Sequence, residues 1–142
     1  MLSSSRISLV IPCFNEESQI ANVLKGIPDF VDHVVVVDDK SSDRTLEVIT
    51  KSAASHENIT LVKHERNQGT GAARVSGIKK CLEFEPDIIC LCDGDGQMDL
   101  SILHSLIEPL LHGEADLIKG NRFFSGEAWQ QMPKIRYLGN AL

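Results

Sequence analysis

Short, continuously apolar, β-branched runs recur along the chain, and each is separated from the next by a stretch of helical periodicity. Residues 7–14 read ISLVIPCF, 33–39 read HVVVVDD, 59–63 read ITLVK, 87–92 read DIICLC, and 115–120 read ADLIKG, the weakest of the set. Runs that are apolar at every position, not at alternate ones, suit strands covered on both faces. Between them, Ile20, Val23, Leu24 and Ile27 keep one helical face, as do Leu46, Ile49 and Ala53. Val75, Ile78 and Leu82 mark a third helix. Leu103, Leu106, Ile107, Leu110 and Leu111 mark a fourth, perturbed by Pro109. Ser42 or Asp43 is the expected N-cap of the second helix. The order β-α-β-α-β-α-β-α-β predicts an α/β domain with a mainly parallel sheet, and right-handed crossovers place helices on both faces.

The chain has 142 residues, which suits one domain spanning 1–142, since a domain typically takes about 100–200 residues. With 42% hydrophobic and 24% charged residues, it has the balance of a folded chain, not a disordered one. A net charge of −6 and the lack of a Lys/Arg-rich run argue against nucleic acid as a partner. No apolar stretch approaches the roughly 18 residues of a membrane span. Met1–Arg6 is polar and leads straight into the first apolar run, so no secretory leader is expected and the expected location is the cytoplasm. Cys13, Cys81, Cys90 and Cys92 form no CxxC pair and have no His at zinc-like spacing. They are expected to be buried, reduced thiols.

The chemistry collects where the apolar runs end. Asn15, Glu16 and Glu17 follow the first run. Asp38 and Asp39 close the second, Arg66, Asn67, Gly69 and Gly71 follow the third, and Asp93–Gln97 follows the fourth. Gly120, Asn121 and Arg122 end the fifth. In an open parallel sheet these ends share one edge, and ligands bind outside it where the strand order reverses. Asp93-Gly94-Asp95-Gly96-Gln97 is the sharpest of these signals. Residues two apart on extended chain face one way, so Asp93, Asp95 and Gln97 can present oxygens to one point. Oxygen donors suit a hard cation, Mg²⁺ or Mn²⁺, which commonly takes one or two carboxylates plus substrate phosphates. A plain Asp/Gly turn would carry the same letters. An EF-hand is ruled against by the missing Glu at the twelfth position.

Asp39 is placed to accept a hydrogen bond from a base N–H or a ribose hydroxyl, or else to cap and solvate a loop. Arg122 is a guanidinium able to clamp a diphosphate, or a surface cation. Residues 67–74 read NQGTGAAR and fail both the dinucleotide fingerprint and the P-loop pattern. They predict a tight strand-to-helix turn, with Arg74 one turn into the helix and within reach of a sugar or phosphate pocket. The histidines are scattered, none stands in a nucleophile motif, and each is expected to be structural or exposed.

Taken together, residues 10–17 (VIPCFNEE), 34–45 (VVVVDDKSSDRT), 67–77 (NQGTGAARVSG), 93–99 (DGDGQMD) and 120–123 (GNRF) resemble the family-2 glycosyltransferases of the GT-A fold. They look most like the group around dolichol-phosphate mannose synthase and related polyprenyl-phosphate sugar transferases. The motifs stand in the family's order and cover most of residues 7–124. The resemblance implies a GT-A, Rossmann-like nucleotide-diphospho-sugar transferase fold. It implies that Pro12, Phe14 and Glu16 line the pocket for base and ribose, with Phe14 where Tyr is frequent. Val37 would lie beside the base and Asp39 on it, and Lys40 stands where Gly is usual. Asp93, Gly94 and Asp95 form the Asp-x-Asp signature, Asp93 and Asp95 holding the metal against the diphosphate, with Gln97 able to complete its shell. Arg122 matches a basic residue near the diphosphate.

The implied reaction is inverting transfer of a sugar from a UDP- or GDP-linked donor to an acceptor, a polyprenyl phosphate or a growing glycan. A complete catalytic domain of this kind is markedly longer, so the chain is expected to be its nucleotide-binding front with the acceptor half largely missing. The catalytic base is not identified, Glu127 being the only acidic residue among residues 124–142. A longer parent would act at the cytoplasmic face of a membrane, and an uncovered sheet edge would favour homo-oligomers. The competing reading is a non-catalytic module that binds a nucleoside diphosphate without turning it over. A sugar-nucleotide pyrophosphorylase would need a Gly-rich basic loop where residues 12–16 read PCFNE.

Overall fold

A computed structural model of the chain describes residues 4–120. Four parallel strands, β1 (Ile7–Cys13), β2 (His33–Asp38), β3 (Ile59–Lys63) and β4 (Ile88–Leu91), form one sheet in the order β3-β2-β1-β4. The connecting helices are α1 (Ile20–Lys25), α2 (Thr45–Ser55) and α3 (Thr70–Leu82), and α4 (Leu103–Leu111) follows a short 3₁₀ turn at Leu100–Ile102. The first apolar run becomes the central strand, buried at every position, with Ser8 paired to His33 on one side and to Ile89 on the other. Its flanking strands supply hydrogen bonds on both edges, and helices cover both faces, as continuous apolarity requires.

Alternation along the strands sorts the core into two layers. Ile7, Leu9, Ile11, Val34 and Val36 join Ile20, Val23, Ile49, Leu103 and Ile107 from α1, α2 and α4. Val10, Val35 and Val37 face the other way, onto Ala73 and Cys81 of α3. The two layers follow from topology. Successive strands are added toward one edge up to β3 and then on the far side of β1, so a right-handed crossover carries α3 over the opposite face to reach β4. Strand order therefore switches at β1, between β2 and β4.

Two expectations are corrected. Residues 115–120 pair with no strand among the described residues, and Leu117 is 85% exposed. Only Ala115, Leu117 and Ile118 are apolar there, which is too little to bury a strand on two faces. The third helix forms with its buried face rotated from the expected one: Ile78 packs, partly buried, on the core, but Val75 and Leu82 are exposed while Ala73, Gly77 and Cys81 are buried. No helix among the described residues is long and apolar enough to cross a membrane.

Candidate functional site

The carboxyl ends of β1, β2 and β4 and the start of α3 enclose a cleft of about 250 Å³, at the point where strand order reverses. Pro12, Cys13, Phe14 and Glu16 come from β1 and its loop, Asp39 follows β2, Thr70 and Ala73 belong to α3, and Asp93, Gly94 and Asp95 follow β4. Of the residues singled out in the sequence, Pro12, Phe14, Glu16, Asp39, Asp93, Gly94 and Asp95 are thus brought together on one cleft. Val37 is not: it is fully buried in the layer beneath α3 and does not line the cleft. Gln97 is exposed and also off the lining, its backbone N–H donating to Asp95 Oδ1 at 3.0 Å. Asn121, Arg122 and Phe123 of the 120–123 motif, and Glu127, lie outside the described residues.

The wall from β1 is held by the loop after β2. Thr45 is completely buried and its Oγ1 accepts the Glu16 N–H at 2.7 Å. Asn15 takes a left-handed φ of 56°, and its Oδ1 accepts the Ser42 N–H at 2.8 Å. Asp43 accepts the Thr45 N–H at 2.9 Å, capping α2 from one residue outside its N-cap. Lys40 adopts φ 64°, so the turn keeps the left-handed geometry that suits glycine although a lysine occupies it.

Asp39 is 2% exposed, and it is bound on three sides. Oδ1 accepts the Gln68 N–H at 2.9 Å and meets His64 Nδ1 at 2.6 Å, while Oδ2 accepts the Gly69 N–H at 2.8 Å. Desolvation works against its charge, but the Gln68 N–H, His64 and the Gly69 N–H outweigh it and hold the carboxyl below its usual range. A carboxylate offers about four lone-pair sites, so one on Oδ2 remains for a ligand. Its neighbour Asp38 turns to the loop, where Oδ1 accepts the Ser41 N–H at 3.3 Å.

Negative charge dominates the floor. Burial, then the charges of Asp95, Asp43 and Asp93, push the Glu16 carboxyl above its usual range. Burial and the adjacent Asp93 and Asp95 push the Cys92 thiol up to about 11. Arg74 Nη2 donates to Asp93 Oδ1 at 2.8 Å, so this arginine reaches the rim of the cleft and holds one of its carboxylates. All four cysteines are buried free thiols. Gly94 sits where a Cβ would lie 2.6 Å from Cys13 Sγ and 3.3 Å from the Pro12 carbonyl, so the backbone after β4 lies directly against β1. Hard oxygen donors in excess over nearby cations fit a divalent ion. Among the described residues no three such side chains converge to hold one unaided, so a ligand would have to supply further oxygens.

The sequence reading passed over Thr70, Ala73, Thr45 and the His64–Ser76 pair. Thr45 and Thr70 carried a detectable signal as helix-starting residues beside strand ends; His64 carried none, because its partners lie just past the end of β2 and on α3.

The profile of the family described as Glycosyl transferase family 2 matches residues 8–140. A UDP-N-acetylglucosamine–dolichyl-phosphate N-acetylglucosaminyltransferase from Methanococcus voltae is 29% identical over 152 residues, an alignment covering 98% of this chain and 61% of the relative. Among solved structures, glucosyl-3-phosphoglycerate synthase from Mycobacterium tuberculosis, in complex with Mn²⁺, UDP and glucosyl-3-phosphoglycerate, superposes with a TM-score of 0.61 at 28% identity. That match covers 79% of this chain and 42% of the synthase. A mannosyltransferase from Pyrobaculum calidifontis in complex with GDP-Man and Mn²⁺ superposes with a TM-score of 0.53 at 26% identity, covering 64% of this chain and 28% of the other. The chain spans about 61% of the length of the first of these relatives.

Proposed function

Because the chain belongs to the Glycosyl transferase family 2, we propose that its cleft binds the nucleoside diphosphate of a UDP- or GDP-linked sugar. The same reading makes it the donor half of an inverting glycosyltransferase. The observation that carries this is the convergence of Asp39, Asp93 and Asp95 on one cleft at the strand-order switch. Asp39 Oδ2 has one acceptor site left, which suits a base that presents a ring N–H, as uracil and guanine do. Phe14, 46% exposed at the mouth, offers a ring to stack on that base. Pro12 and Glu16 complete the wall beside it, and Gly94 lets the backbone approach the diphosphate.

Asp93 and Asp95 would hold Mg²⁺ or Mn²⁺ together with the diphosphate oxygens, and Arg122 is assigned to the same diphosphate. When bound, that ion supplies charge neutralisation for the departing nucleoside diphosphate. In the reaction the acceptor oxygen bonds to the anomeric carbon as the bond to the diphosphate oxygen breaks, inverting that centre. An ionised lipid phosphate as acceptor needs no base, whereas a hydroxyl needs one. A polyprenyl phosphate fits the reading best, since the Methanococcus relative is named for a dolichyl-phosphate acceptor. The reaction would then run at the cytoplasmic face of a membrane. Residues 1–142 would be the nucleotide-binding portion of the domain.

Thermal unfolding in UDP and GDP, with and without Mn²⁺, tests this. A ligand at a hundredfold excess over its Kd stabilises by about 2.7 kcal/mol. One nucleotide should raise Tm in a Mn²⁺-dependent way, and Asp95→Ala should abolish the metal-dependent part. If neither nucleotide shifts Tm, the proposal falls. Binding without transfer or hydrolysis of the matching nucleotide sugar would favour the non-catalytic module.

A further inference from the structure

Asp39 and His64 stand side by side at the ends of adjacent strands. The β2–β3 register pairs Asp38 with Lys63, and the His64 N–H donates to the Asp38 carbonyl at 2.9 Å, so the next step of the ladder brings Asp39 against His64. Both side chains turn toward α3 and are nearly buried, at 4% and 7% exposure. His64 Nε2 lies 2.8 Å from Ser76 Oγ in the second turn of α3. An ionised carboxylate only accepts, so Nδ1 must carry the proton that bonds Asp39. In the neutral ring Nε2 then accepts from the Ser76 hydroxyl, and the tautomer is locked from both ends.

Ser76, His64 and Asp39 have the atom order of a hydrolytic triad, but the surroundings exclude that role. Ser76 lies inside α3, where backbone N–H groups are committed to the helix, and neither Ser76 nor His64 lines the cleft. An attacking hydroxyl would have neither substrate nor oxyanion donors. What the arrangement does is aim a carboxylate. With Oδ1 saturated by His64 and Gln68, and Oδ2 anchored by Gly69, the free lone pair of Asp39 has one direction.

We propose that His64, oriented by Ser76, is a positioning residue that fixes the Asp39 carboxylate for reading the base of the bound nucleotide. This rests on the donor-cleft reading above and adds to it which groups set base affinity.

The test exploits side-chain shape. Asn at position 64 can present an N–H where Nδ1 stands, whereas Gln reaches only the Nε2 position. Calorimetric titration with the preferred nucleoside diphosphate and Mn²⁺, and in parallel with inorganic pyrophosphate and Mn²⁺, separates base reading from diphosphate binding. His64→Gln should weaken the nucleotide by about tenfold, the size expected for losing a hydrogen bond to a charged group, and leave pyrophosphate unchanged. His64→Asn should stay close to wild type for both. Equal weakening of both ligands by His64→Gln, or of neither, would overturn the inference, as would a His64→Asn variant as poor as His64→Gln. Wild-type protein that binds pyrophosphate but no nucleotide would instead remove the base-pocket reading and this inference with it. Should His64→Gln not fold, ¹⁵N spectra of the wild-type imidazole decide. The Nδ1–H tautomer is expected, and an Nε2–H tautomer would refute the arrangement.

Discussion

Glu16 shows how the cleft is biased before any ligand arrives. Its carboxyl is held above its usual range by burial and by Asp95, Asp43 and Asp93. A raised folded-state value means that the protonated form is the favoured one. The favourable contribution of Glu16 is complete below its ordinary value, about pH 4.3, and is lost as pH rises through the folded value. At neutral pH the ionised group therefore costs stability, first through its burial and then through repulsion from Asp95, Asp43 and Asp93. Glu16→Gln should raise Tm at pH 7 without divalent cation, and the gain should shrink progressively as the pH is lowered through and below the ordinary carboxylate value of about 4.3. A Tm difference independent of pH would show that the side chain acts through packing. The backbone bond to Thr45 survives the substitution, so the comparison isolates charge. At this scale the carboxylates were legible in the sequence, because an Asp that closes an apolar run has to leave the core at the strand end. His64 was not legible: its partners Asp39 and Ser76 are joined to it only by strand register and by the docking of α3. Val37 was misjudged for a related reason. The residue two before Asp39 shares its face, but deeper in the sheet that face is covered by α3.

Helix α3 makes the same point at the level of an element. Counting large apolar residues selects Val75, Ile78 and Leu82, yet the buried stripe is Ala73, Gly77 and Cys81. Small residues at that spacing let the helix axis approach the sheet. A Cβ built on Gly77 would lie 2.2 Å from Val10 Cγ1 and 3.1 Å from Val37 Cγ2. Both contacts are to valines at the centre of the sheet, which have no slack to move. Gly77→Ala gains helix propensity, but overpacking should outweigh it and destabilise the fold by about 1–3 kcal/mol, read from urea unfolding. Since Ala73 and Thr70 of the same helix line the cleft, the variant should also bind nucleotide more weakly. Unchanged stability would mean that the helix can ride away from the sheet at little cost. Periodicity thus located the helix, but size had to be read together with it, and a pattern built on large residues hides a close-packed face. The fifth apolar run failed in the opposite sense, since its letters resemble a strand but no neighbour pairs with it among the described residues.

At the scale of the molecule, the alternation of strand and helix was the most legible feature, because each run had to be long enough to cross a doubly covered sheet. Strand order was less so, since nothing local to β4 says that it joins β1 and not β3. That placement carries a consequence in time. The central strand pairs Ser8 with His33 and Ile7 with Ile88, and the Arg6 N–H donates to Asp87 Oδ2 at 2.7 Å. Loop closure across so much chain is slow compared with local helix formation. A polypeptide emerging from the ribosome can assemble β1, β2 and β3 while one edge of its central strand still waits for a partner. Asp93 and Asp95 arrive only with the last of these strands. In refolding experiments, recovery of nucleotide affinity should therefore trail recovery of far-ultraviolet ellipticity. Coincident recovery would mean that β4 docks with the rest. Of these four strands the first in the chain is the last to gain both neighbours, and on the reading proposed above nucleotide affinity waits for that moment.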